Sequence, residues 1–268
     1  MLSDDLRNEL AQIAPEADCD RLAELSGLFH AAGSIHLRGR GEVALHLDLA
    51  NSAVARRAFG VDSEIRTYQQ QAFGRATRYQ LHVEGSTHAY ETLHRAGVLD
   101  AAHRPLERPP RRVVARRCCR RAYLRGMLLA AGSLSGPRDP HLEIRTSQLE
   151  GARFLADVAA REGADLHVLD RGRHAVAYAK GVESIADALV AAGATDTVLV
   201  LEESSVLAAI RADANRLANA DHANLVRTSR AAHAQLEAVR SLDIESLPDE
   251  LREVATLRLR HPTASTAE

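Results

Sequence analysis

Tryptophan is absent from this 268-residue sequence, aromatic residues reach only 3%, and 33 of the 34 basic residues are arginine, Lys180 being the exception. Cysteine occurs three times, at Cys19, Cys118 and Cys119, too few for a disulfide framework, so a reducing cytosol is expected. No apolar run approaches the ~18 residues that a membrane span needs, which predicts no membrane partner. The opening "MLSDDLRNELAQI" is acidic and amphipathic without an apolar h-region, so it does not read as a signal peptide. A formal charge of −2 argues against a generally basic nucleic-acid binder, though it leaves room for local patches. What remains is an ordinary globular composition, with 46% apolar residues and enough chain for a buried core.

The strongest positive signal is an internal repeat. "SGLFHAAGSI" (residues 26–35) and "RGMLLAAGSL" (125–134) share Gly-x-x-x-Ala-Ala-Gly-Ser, and Gly126 lies 99 positions after Gly27. At the same offset Cys19 falls on Cys118, Arg21 on Arg120, Ala23 on Ala122 and Leu25 on Leu124. "HLDLANSAVARRAF" (from His46) then aligns with "HLEIRTSQLEGARF" (from His141), and "VEGSTHAYETLHRAGV" (from Val83) with "AKGVESIADALVAAGA" (from Ala179). Each unit reads as a helix (21–33; 120–132) capped by glycine, a hairpin, a helix, a second hairpin and a closing helix before Gly97 or Gly193. The first hairpins turn at 38–41 and 136–140, the second near Gly74 and Gly172. Asn51-Ser52 and Thr146-Ser147 supply N-caps for the middle helices. The fold class is therefore α+β: a duplicated αββαββα unit with one four-stranded sheet per half, followed by an all-α segment.

Small residues recur every fourth position on both first helices, at Ala23, Gly27 and Ala31 and at Ala122, Gly126 and Ala130. Such ridges let two backbones approach closely, so Gly27, Ala31, Gly126 and Ala130 are assigned to an interface between the repeats. His30 has Leu129 as its counterpart, which marks a structural position, and the matched His46 and His141 reflect strand packing. The cysteines include no Cys-x-x-Cys, so buried thiols near the interface are expected, with no metal and no cofactor.

The duplication, with its Leu25-x-Gly27 and Leu124-x-Gly126 helices, resembles a single-chain LAGLIDADG homing endonuclease. The wording of "CDRLAELSGLFHAAGSI", "CCRRAYLRGMLLAAGSL", "NRLANADHANLVRTSRAAHAQLEAVRSL" and "LPDELREVATLRLRHPTAS" is similar to the WhiA family of bacterial transcriptional regulators, over almost the whole chain. The endonuclease resemblance places a metal-binding acid before the last glycine of each central helix. Ala32 and Ala131 stand there, and a methyl group cannot ligate Mg²⁺, so no catalytic residue and no enzyme activity are expected. The WhiA resemblance implies a regulator of sporulation or cell division, cytoplasmic and nucleoid-associated. It would bind promoter DNA through a C-terminal helix-turn-helix and meet a sigma factor or a WhiB-like iron–sulfur regulator. A protein-interaction module with little DNA affinity of its own is the alternative.

Charge locates the contacts only loosely. The four strand regions hold ten basic and eight acidic residues, too balanced for a strong duplex clamp. The DNA or partner contacts read from sequence are Arg66, Arg78, Arg145, Arg173 and Lys180 on the sheets. Arg111, Arg112, Arg116 and Arg117 join them from "RPPRRVVARRCCRRAYLR", a run of eight arginines and no acid that otherwise reads as a solvated linker and helix face. The expected organisation is an N-terminal helix and first repeat (1–104), a basic linker (105–116), the second repeat (117–198) and a helical linker (199–245). The last stretch, 246–268, reads as the start of a truncated helix-turn-helix. A helix break is expected near Asn219 to His222, with Asp221 as the following N-cap.

Overall fold

The computed structural model describes residues 2–38, 42–49, 52, 54–55, 63–70, 76–83, 86–136 and 139–262. The chain divides into two compact units, Met1–Val206 and Leu207–Glu268.

In the first unit, α1 (Leu2–Gln12) precedes the first repeat: α2 (Asp18–Ala32), β1 (Gly33–Arg38), β2 (Glu42–Leu49), β3 (Ser63–Gln70), β4 (Ala76–Val83) and α3 (Thr87–Arg95). Residues 52, 54 and 55 are helical at the place expected for the middle helix, while Asn51 lies outside the described residues. A short 3-10 turn, Arg111–Val114, leads to the second repeat. That repeat holds α4 (Arg117–Ala131), β5 (Gly132–Leu134), β6 (His141–Thr146), α5 (Leu149–Ala160), β7 (His167–Asp170), β8 (Ala175–Lys180) and α6 (Val182–Ala192). Each repeat builds one antiparallel sheet with the same strand order, β1-β2-β4-β3 and β5-β6-β8-β7.

Strand alternation puts one face of each sheet in the core. Leu45, Leu47 and Leu49 of β2 are buried beside Leu81 of β4, and Leu142 and Ile144 of β6 beside Ala177 and Ala179 of β8. Leu25, Leu28 and Phe29 of α2 and Leu124, Met127 and Leu128 of α4 complete the same core.

Two local expectations need correction. The central helices begin at Asp18 and Arg117 rather than at Arg21 and Arg120, while Gly33 and Gly132 cap them as expected, with extended backbone (φ −73° and −68°). Glycine is required there because a Cβ would collide with the Phe29 or Leu128 carbonyl. Gly193, by contrast, is a left-handed cap at φ +101°, and Gly97 lies at φ +70°. The N-cap of α5 is Gln148, not Thr146 or Ser147, because Thr146 Oγ1 instead donates to the Gln148 carbonyl (2.9 Å). Of the expected hairpin turns, residues 39–41, 74 and 137–138 lie outside the described residues, and Gly172 takes a positive φ of 76°.

Helix α7 runs unbroken from Thr195 to Arg240, so the break expected near Asn219 to His222 does not occur. Neither glycine nor proline interrupts that span, and asparagine costs a long helix only a fraction of a kcal/mol, roughly 0.7 per residue at most. The second unit holds the far part of α7, a 3-10 turn at Ile244–Ser246, and α8 (Asp249–Arg260), which begins after Pro248. Among the described residues, no helix is long and apolar enough to cross a membrane.

Candidate nucleic-acid interface

The two central helices meet along their small-residue ridges. A Cβ on Gly27 would strike the Tyr123 carbonyl and come within 2.9 Å of the Met127 amide nitrogen; one on Gly126 would strike the Glu24 carbonyl. Ala23 and Ala122 are buried, and Ala31 and Ala130 are half-buried against the same core. Beside this crossing Arg125 Nε donates to Glu24 Oε2 at 2.6 Å, both side chains being at least nine-tenths buried. A buried pair this short holds the helices in one register, although its net stability contribution is small against the desolvation of both charges. Sequence reading missed it, because Glu24 and Arg125 do not correspond in the repeat: Glu24 aligns with Tyr123 and Ser26 with Arg125.

At the C-terminal ends of the same helices stand Ala32 and Ala131, half-buried and followed directly by the strands. The end of α4 is covered by α1, whose Leu6 and Leu10 are fully buried. Arg7 Nη2 donates to the Gly132 carbonyl at 2.5 Å, and Ser3 Oγ both donates to the Leu134 carbonyl and accepts from its amide. Burial, with the like charge of Arg78 nearby, holds the Arg7 guanidinium below the usual arginine range against the opposing pull of Asp4. The sequence carried no signal for this, since Arg7 belongs to no repeat. Glu9 on the same helix caps α7, accepting from the Asp196 and Thr197 amides at 2.8 and 2.9 Å.

The outer faces of the sheets differ in how their charges are used. On the first, Arg66 is paired with Glu64 (3.0 Å), and Asp48 accepts from Tyr68 (3.2 Å) and Gln80 (3.1 Å). His82 is fully buried, its Nδ1 2.7 Å from His46 Nε2. Arg78 is half-buried and its Nε finds no acceptor among the described residues. On the second, His141 pairs with Lys180 across the strands and Glu143 with Tyr178. Glu143 is held by His141 (3.0 Å) and Arg171 (3.1 Å). Arg145, Arg173 and Lys180 are exposed, with no ion pair among the described residues, and Lys180 Nζ lies 5.9 Å from the Tyr178 ring centre.

Most of the arginine run does structural work. Arg117 and Arg120 converge on Glu162 (3.2 and 2.6 Å), Arg121 donates to the Ala191 and Val190 carbonyls, and Arg112 donates to the His94 carbonyl. Arg111 and Arg116 remain exposed, Arg111 beside Arg108, Arg153 and Arg161 around a shallow pocket of about 150 Å³. The reading of this run as a solvated face holds at Arg112 and Arg117, which stay exposed despite their bonds, and is corrected at Arg120, Arg121 and Arg125, which are wholly or partly buried.

The three cysteines come together. Cys19 and Asp20 in the first turn of α2 face Cys118 and Cys119 in the first turn of α4, and one ligand atom from each lies within 4.8 Å of all the others. Among the described residues this is the one group of three or more His, Cys, Asp or Glu side chains so placed. A hydrogen bond to Asp20 raises the Cys118 thiol, and burial, with Cys19 and Cys118 crowding it, pushes Cys119 up to about 12.

Known proteins with this architecture are readily found. Family models match in three places: a WhiA N-terminal LAGLIDADG-like domain over residues 18–99, a WhiA LAGLIDADG-like domain over 120–211, and a WhiA C-terminal HTH domain over 214–268. The chain is 33% identical over 274 residues to the probable cell division protein WhiA of Heliobacterium modesticaldum, covering 98% of this chain and 86% of the relative. To the protein of the same description in Symbiobacterium thermophilum it is 34% identical over 277 residues, covering 98% and 88%. The crystal structure of full-length DUF199/WhiA from Thermatoga maritima superposes with a TM-score of 0.59 at 19% identity, covering 98% of this chain and 87% of that one.

Proposed function

The chain belongs to the WhiA family, and from that premise we propose that it is a DNA-binding transcriptional regulator of cell division or sporulation whose endonuclease-like core no longer cleaves. The observation that carries the second half of this reading is Arg7. Where the endonuclease resemblance calls for a carboxylate and a divalent cation, the second repeat offers the methyl of Ala131 and, beside it, a guanidinium on the Gly132 carbonyl. A half-buried guanidinium disfavours Mg²⁺ there. Among the described residues the one carboxylate against it, Asp4 at 3.4 Å, is already its ion-pair partner, and no cluster of three or more metal-ligating side chains gathers there. The HTH match over 214–268 and the relatives' description as probable cell division proteins support the regulatory half.

In this reading the helix-turn-helix region carries sequence-specific promoter contact, and the core adds phosphate contacts through the unpaired cations of the second sheet. The test is retardation of duplex DNA by the full chain at several salt concentrations, with a nicking assay in Mg²⁺ and Mn²⁺ alongside. Each cation that neutralises a phosphate contributes about 0.9 to the salt slope. Replacing Arg145, Arg173 and Lys180 together by alanine is expected to lower that slope by up to about 2.7. Arg66→Ala, which removes a cation already paired with Glu64, is expected to leave it nearly unchanged. Metal-dependent nicking that copurifies with the chain overturns the non-catalytic reading.

A second reading, a platform for a sigma factor or a WhiB-like iron–sulfur regulator, is favoured by the second unit. There Ala238, Val239, Leu242, Leu247, Leu251 and Val254 line an apolar groove of about 400 Å³. Salt-independent or undetectable DNA retardation would make this the leading interpretation.

A further inference from the structure

We propose that Cys19, Asp20, Cys118 and Cys119 form a four-coordinate zinc site that joins the first turns of the two central helices. The duplication itself builds the donor set. At the repeat offset of 99, Cys19 corresponds to Cys118 and Asp20 to Cys119, so each repeat contributes two adjacent donors from the same turn of the same helix. Two donors from each side of a pseudo-twofold axis are what a tetrahedral ion requires.

The distances agree with that geometry. Two zinc–sulfur bonds of ~2.3 Å at a tetrahedral angle place their sulfurs ~3.8 Å apart, and a sulfur with a carboxylate oxygen lies ~3.6 Å apart. Cys118 Sγ and Cys119 Sγ are 3.9 Å apart, and Cys19 Sγ and Asp20 Oδ1 are 3.5 Å apart. With the remaining separations all within 4.8 Å, closing the site needs shifts of no more than about 1 Å. On binding, the three thiols release their protons to solvent and form three Zn–S bonds, and the Asp20 carboxylate supplies the fourth ligand without a proton change.

Chemistry selects the ion. Thiolates are soft ligands, which disfavours Mg²⁺ and Ca²⁺ and favours Zn²⁺. A multi-iron cluster binds its cysteines through separate irons, and donors this close together cannot span one. A Cys118–Cys119 disulfide is also disfavoured, because adjacent Cα atoms lie ~3.8 Å apart, below the usual 4.4 Å minimum for a bridge. The completed site would carry a net charge of −2, which both helix N-termini favour, and exposed Cys118 leaves it open to solvent.

The test uses the full chain, purified under reducing conditions, stripped with chelator and titrated with Zn²⁺ against a chromophoric chelator, and separately with Co²⁺. The expected result is one metal per chain, a thiolate-to-cobalt charge-transfer band, the d–d spectrum of a tetrahedral ion, and a higher melting temperature with Zn²⁺. Cys118→Ser and Asp20→Asn are expected to weaken binding at least tenfold and to abolish the zinc-dependent rise in melting temperature. Cys119 is buried and its replacement can unfold the chain, so these two variants at less buried positions decide the matter once their metal-free melting matches the parent. No charge-transfer band, or binding unchanged in both variants, overturns the proposal. So does a Cys19–Cys118 disulfide that forms in air equally fast with and without Zn²⁺. None of these outcomes bears on DNA retardation, so failure here leaves the regulatory reading standing.

Discussion

The two repeats share a strand order and a central helix, yet they present different ends to their surroundings. In the first, the end of α2 borders a cleft of about 250 Å³ lined by Phe29, His30, Gly33, Leu106 and Ser147. In the second, the equivalent end of α4 is sealed by α1, with Arg7 on the Gly132 carbonyl and Ser3 on both polar groups of Leu134. The strands differ as well: the first sheet has strands of six, eight, eight and eight residues, the second of three, six, four and six. Among the described residues, Arg66 is paired and Arg78 half-buried on the first sheet, whereas Arg145 and Lys180 on the second sheet and Arg173 in its turn make no ion pair. A duplicated unit has thus been made asymmetric mostly by segments outside the duplication and by single residues within it, while the ridge between the halves stayed symmetric.

That ridge gives the largest expected effect. Gly126→Val and Gly27→Val each drive a branched side chain into the facing backbone, where no rotamer relieves the clash. Each is expected to cost at least about 3 kcal/mol and to leave little folded protein, measured as loss of the cooperative urea transition. If the two repeats contribute equally to the ridge, the two losses match. A clear inequality would show that one helix can yield where the other cannot.

Next in size is the asymmetric pair at the same crossing. Glu24→Ala leaves the Arg125 guanidinium buried without its acid and is expected to cost about 3–5 kcal/mol. The counterpart position is Tyr123, whose buried hydroxyl has no hydrogen-bond partner among the described residues, so Tyr123→Phe removes nothing that is bonded. It is expected to change stability by under about 1 kcal/mol. Combining Glu24→Leu with Arg125→Leu should recover most of the loss, because two desolvated charges leave together. A double variant as unstable as Glu24→Ala would mean that the pair does more than compensate its own burial.

The repeat, the strand order and the small-residue ridge were legible because each rests on local spacing, a period of about a hundred residues or a four-residue step. Ala32 and Ala131 stood out through the endonuclease resemblance, which places an acid at each of them, rather than through spacing alone. What escaped detection was relational. Arg7, Glu24 and Arg125 are ordinary charged residues in sequence, and only the crossing of α2 with α4 and the docking of α1 bring them to their partners. The cysteines escaped because their ligand set is split between the repeats, so the absence of Cys-x-x-Cys within either one was uninformative. The helix break expected near Asn219 failed because capping residues do not stop a helix that lacks glycine or proline.

The smallest effect tests the cleft itself, where His30 stands in the first repeat and Leu129 in the second. His30 Nδ1 lies 2.8 Å from the Ser26 carbonyl, and since a carbonyl only accepts, Nδ1 carries the proton and the ring is held as a neutral donor. Burial pushes its pKa below the ordinary histidine value of 6.5, outweighing the hydrogen bonds that favour the charged form. The unfolded chain therefore binds this proton more readily than the folded one. The stabilisation is fully present above pH 6.5 and is lost as the pH falls below it, with a slope of at most about 1.4 kcal/mol per pH unit. His30→Leu copies the second repeat into the first and is expected to flatten that part of the stability profile while changing neutral-pH stability little. An unchanged slope in urea melts between pH 7 and pH 5 would assign the acid sensitivity to groups other than His30.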